Sequence, residues 1–150
     1  MISENGMMEL RKLRDSPRPQ DEIAFEDAIA RFHLENGPAA LSPLFSLFDD
    51  AAKSHTRMFT IIHAAETFDD QTYVAALLSE TAALADSAPR WLKVLYMRVL
   101  NSDSARAELL AQSGRAGSGI RDVLASALDS VVADRPEFGA RVAALKNAIG

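Results

Sequence analysis

The sequence predicts an all-α protein, a compact stack of eight or nine short antiparallel helices. The stack is either a closed bundle or a HEAT-like series of helix pairs. Three observations point there. Apolar residues recur at helical spacing along nearly the whole chain. Clusters of Gly, Pro, Asp and Ser interrupt it at regular distances. No useful stretch alternates apolar and polar positions among β-branched residues, as a half-buried strand would. The nearest, "MFTIIHAA", fits a helix better, because Met58, Ile61, Ile62, Ala65 and Phe68 share one face.

Turn signals at "DSPRPQDE", "ENGPAA", "DDAAKSH", "FDDQ", "DSAPR", "LNSDSA", "SGRAGSG" and "DRPEF" delimit the elements. The spacing predicts helices near 7–14, 21–35, 38–49, 55–67, 70–86, 89–100, 104–113, 119–134 and 137–149. The stripes that define them include Leu41, Leu44, Phe45 and Phe48, then Val74, Leu77, Leu78, Thr81 and Leu84. Ile120, Val123, Leu124, Ala127, Leu128, Val131 and Val132 give the longest stripe, and Phe138, Val142, Leu145 and Ile149 the last. "WLKVLYMRVL", 91–100, is apolar on most sides, which marks a central helix whose Lys93 and Arg98 must reach a rim or find carboxylates. A chain of 150 residues suits one domain, 1–150, with 1–20 as a more loosely packed lead-in.

Composition narrows the function. There is no cysteine, so disulfides and thiolate zinc sites are excluded. The start has no apolar signal region, and 91–100 is too short and too charged to span a bilayer. The expectation is a cytoplasmic protein with no membrane role. The formal charge of −5 is uneven. Residues 36–87 carry two basic and seven acidic groups, whereas 88–150 carry nine basic and six acidic. A negative middle disfavours nucleic acid and favours a basic partner.

No catalytic pattern stands out. "GRAGSG" lacks the lysine and preceding strand of a phosphate cradle. His63 and Glu66 stand in reverse order to a Glu-x-x-His metal element, and no second copy exists, so no metal or cofactor is expected. The pairs Asp49–Asp50 and Asp69–Asp70 are adjacent in sequence, and adjacent residues do not face each other on a helix. In "ETFDDQTY", Asp69 reads as an N-cap, with Phe68 and Tyr73 placed as a hydrophobic staple. Glu66 and Asp70 are left to present charge outward. Tyr73 and Trp91 stand near charged loops, where aromatic rings serve as interface anchors or as core.

"ENGPAALSPLFSLFDD", "MFTIIHAAETFDDQTYVAALL" and "SAPRWLKVLYMRVLNSDSAR", in that order, resemble the immunity protein 30 family of bacterial polymorphic-toxin, contact-dependent inhibition systems. The resemblance spans roughly residues 22–145. It implies a small helical antidote, not an enzyme, that binds a cognate secreted toxin domain and neutralises it by occlusion. Many such toxins are nucleases with basic clefts. Glu66, Asp69, Asp70, Asp49 and Asp50 are then the candidate contact patch, with Tyr73 and Trp91 as aromatic anchors. The rival reading is a helical-repeat scaffold that binds a peptide along a concave face.

Overall fold

The computed structural model describes residues 4–149, and every regular element among them is helical. The fold is all-α. The chain divides between Asp69 and Asp70 into two compact units.

The first unit opens with α1 (Glu4–Asp15) and α2 (Asp21–Asn36). Helix α2 buries Phe25, Ala28, Ile29 and Phe32, the i, i+3, i+4, i+7 set of one helix face. It ends at Gly37, whose φ of 57° and ψ of −141° lie in a region that glycine enters without steric penalty and that residues with a Cβ rarely adopt. A 3-10 turn over Gly37–Ala40, short α3 (Leu41–Phe45) and a loop lead to α4 (His55–Ala65).

The expected continuous helix over 38–49 is therefore replaced by tighter winding. Beyond α3, Leu47 N–H donates to Leu44 C=O and Phe48 N–H to Phe45 C=O, each three residues back. This winding turns Leu44, Phe45, Leu47 and Phe48 all inward, none more than 3% exposed. Asp49 then closes the segment, its carboxylate accepting from Ala51 N–H at 2.9 Å.

Helix α4 carries an arginine on its apolar face. Its buried residues are Arg57, Met58, Ile61, Ile62 and Ala65. The Arg57 guanidinium donates to the carbonyls of Leu13, Arg14, Ser16 and Arg18, at 2.5–3.2 Å. Its Nε lies 3.1 Å from Glu22. Two of those carbonyls belong to the last turn of α1, which has no further helical donors and an excess of negative charge. Ser54 caps α4, accepting from Arg57 N–H and donating to Glu22. Arg14 adds a bond to Leu47 C=O. The 13–18 segment is thus clasped by side chains that hold its main chain.

The second unit contains α5 (Asp70–Ser87), α6 (Pro89–Leu100), α7 (Asp103–Ser113), α8 (Ser118–Asp134), a 3-10 turn over Pro136–Phe138 and α9 (Gly139–Ile149). Helix α6 packs against α5, α7 and α8. It buries Trp91, Leu92, Leu95, Tyr96, Val99 and Leu100, as its near-continuous apolar sequence requires. Burying each of its leucines contributes about 1.5–3 kcal/mol. Proline at the first position suits its start, and Arg106 donates to Leu100 C=O at 2.6 Å at its end. Lys93 reaches Asp134 at 2.5 Å, and Arg98 is exposed.

One polar pair lies in this core. Thr81 Oγ1 donates to Leu77 C=O and lies 2.6 Å from the Tyr96 hydroxyl. The single threonine proton is used on the carbonyl, so Tyr96 donates to Thr81. Burial pushes the Tyr96 phenol up from its ordinary range, and the bond to Thr81 partly opposes that.

Candidate partner-binding surface

The two units differ in charge. Residues 1–69 hold seven basic and twelve acidic side chains, and residues 70–150 hold nine of each. The whole net charge of −5 therefore belongs to the first unit.

Contacts between α2 and α4 set where those acids stand. At one end Glu22, near the start of α2, meets Ser54 and Arg57 at the start of α4. At the other end His33, near the end of α2, meets Thr67 and Phe68 just beyond α4. The two helices therefore run parallel. Thr67 Oγ1 donates to Ala64 C=O, so its 2.7 Å contact with His33 is a bond donated by Nε2–H of the imidazole. The His33 ring stacks on Phe68 at 4.6 Å.

This arrangement splits the candidate carboxylates. Glu66 and Asp69 flank the Thr67–Phe68 pair, at the C-terminal ends of α2 and α4, and both are exposed. Asp49 and Asp50 are half-buried in the loop before α4, at its opposite end. The twelve residue steps from Ser54 to Glu66 span about 18 Å at helical rise. Asp70 is half-buried in the first turn of α5, in the second unit.

Helix electrostatics explains these positions unequally. Asp70 stands where the α5 dipole favours negative charge, and Asp69 immediately precedes it. Glu66 is the C-cap of α4, where the dipole opposes it by about 0.3–1 kcal/mol. The α4 dipole thus does not account for a carboxylate there.

Tyr73 and Trp91 are 5% and 4% exposed. Both rings are committed to packing, and they hold α5 and α6 in place rather than stand out from them. Their spacing already indicated it: Tyr73 lies on the face of Val74, Leu77, Thr81 and Leu84.

Near Asp49 lies an open cleft of about 850 Å³, bounded by the loops at 14–19 and 49–56. Its arginines, Arg14 and Arg57, are engaged by main-chain carbonyls and by Asp15 and Glu22. The Arg14 side chain holds Asp15 below the ordinary carboxylate range. Among the described residues, no group of three His, Cys, Asp or Glu side chains could hold a metal ion. No described helix is long and apolar enough to cross a membrane.

Sequence reasoning missed two residues that the structure brings forward. Ile23 and Leu34 are 67% and 83% exposed on α2, on the face opposite its buried stripe. The signal was their position out of phase with Phe25, Ile29 and Phe32.

A family model described as Immunity protein 30 matches residues 9–109. It covers nearly all of the first unit and reaches into α7, leaving α8 and α9 outside. No curated protein and no solved structure matches the chain.

Proposed function

The chain belongs to the immunity protein 30 family, and from that premise we propose that it binds a cognate secreted toxin domain and neutralises it by stoichiometric occlusion. The family match carries this reading. The charge distribution supports it, since the entire −5 sits in the unit that the match covers most fully. The toxin domain is a nuclease with a basic substrate cleft. An acidic surface accelerates encounter with such a cleft and competes with phosphate for it.

The contact includes Glu66, Asp69 and Asp70, with Asp49 and Asp50 as an outlying second pair. Tyr73 and Trp91 pack within the second unit. A tight complex needs about 1,600 Å² of total buried surface. The protein acts in the cytoplasm of the producing cell, by binding rather than by turnover.

The decisive experiment is co-expression with the toxin domain encoded next to it. Survival that depends on this chain is expected. Glu66→Lys with Asp70→Lys should slow association about tenfold or more at low salt and less at high salt. Unchanged association kinetics would remove the carboxylates from the contact. Loss of cells despite full expression of both proteins would remove the antidote reading.

A further inference from the structure

We infer that the outward face of α2, anchored by Leu34 and Ile23, is the apolar centre of the contact with the basic toxin domain. The inference rests on the antidote reading and names its surface. Ile23, Asp27, Ala30 and Leu34 follow one another at steps of four, three and four, so they form a single stripe. All four are exposed, and they lie opposite the buried set Phe25, Ala28, Ile29 and Phe32. Leu34 at 83% and Ile23 at 67% are the two most exposed large apolar side chains among the described residues.

Charge complementarity selects the occupant. Helix α2 carries Asp21, Glu22, Glu26, Asp27 and Glu35 against a single arginine, Arg31. Of these, Glu26, Asp27 and Glu35 are exposed beside the stripe. The His33–Thr67 bond and the His33–Phe68 stack put Leu34 at the same end of the unit as Glu66 and Asp69. An exposed leucine thus stands beside Glu35, at the end of the unit that also carries Glu66 and Asp69. The complementary surface is an apolar ridge flanked by lysines and arginines. A second copy of this chain would bring an equally acidic surface against it and be repelled.

Size indicates how much else takes part. A helix of 16 residues is about 24 Å long and about 10 Å wide, so its outward face offers roughly 240 Å². A standard interface uses about 800 Å² per partner. Helix α2 therefore forms the centre, and the 66–69 turn supplies part of the rim. Apolar anchors at the centre with charges around them is the distribution that concentrates binding energy in few residues.

The test measures binding of the purified chain to a catalytically inactivated toxin domain from the neighbouring gene, by calorimetry and by association kinetics. Leu34→Glu and Ile23→Glu should each weaken binding about tenfold to a hundredfold, mainly through faster dissociation. Glu26→Lys with Asp27→Lys should instead slow association and flatten its salt dependence. Leu110→Glu, at a 39% exposed leucine of α7, should leave affinity within about twofold, the scatter of a residue outside the contact. Because Leu34 and Ile23 are exposed, melting temperatures should not move, which separates lost contact from lost fold. Wild-type binding that survives both glutamate variants within about twofold overturns the surface and leaves the antidote reading standing. Wild-type chain that fails to bind at all overturns both. A wild-type dimer that Leu34→Glu converts to monomer assigns the face to a second copy, and also overturns the proposal.

Discussion

Replacing Arg57 by methionine removes the clasp while keeping the stem that packs among Met58 and Ile61. Arg57 is 3% exposed, and its guanidinium serves four main-chain carbonyls and one carboxylate. A hydrogen bond from a charged donor contributes about 1.5–3 kcal/mol. The four bonds do not add, because the 13–18 segment can open and let water reach its carbonyls. Glu22 keeps a 32% exposed side chain and stays partly solvated. The loss should therefore match the breaking of one buried charged pair, about 3–5 kcal/mol. For a chain of this size that lowers the melting temperature by about 6–20 °C. Arg57→Lys keeps the charge but offers three donors without a planar fork, so it should recover part of the loss. Thermal melts followed by circular dichroism give the magnitude. Hydrogen exchange gives the location, with α1 losing protection first. If Arg57→Met melts within about 2 °C of wild type, a change of under about 1 kcal/mol, the clasp holds nothing and the reasoning fails.

Two further outcomes follow from the packing. Thr81→Val leaves the buried Tyr96 hydroxyl without its acceptor and should cost about 1–3 kcal/mol, whereas Tyr96→Phe leaves Thr81 bonded to Leu77 C=O and should cost about 0.5–1.5 kcal/mol. In a double-mutant cycle by urea denaturation, the pair should lose less than the sum; strict additivity would mean that the two hydroxyls do not couple. Gly37→Ala meets open space, since a Cβ there has nothing within 4 Å. Its whole penalty should come from the φ of 57° with ψ of −141°, about 1–3 kcal/mol. A neutral result in the same denaturation assay would show that the turn relaxes.

Most elements could be read from periodicity. Helix α6 runs over 89–100 as expected, and α2 and α5 differ from expectation by one residue at their ends. The 38–49 segment was legible in its apolar spacing but not in its winding. Pro38 and Pro43 withhold donors, and the Asp49 carboxylate offers the chain a turn instead of another helical bond. Arg57 was hidden for a different reason. It shares the face of Met58, Ile61 and Ile62, but its burial depends on a segment some forty residues earlier in the chain. Local patterns do not encode such pairings. The carboxylates were visible as charge, while their division between two ends of the first unit follows from α2 and α4 lying parallel.

The grip of Arg57 falls on peptide oxygens, and every residue type supplies one. A substitution at exposed Arg18 can alter the outer texture of that stretch while its course stays fixed, whereas Ser16 also ties the turn together through its hydroxyl, bonded to Asp21 and to Arg18 N–H.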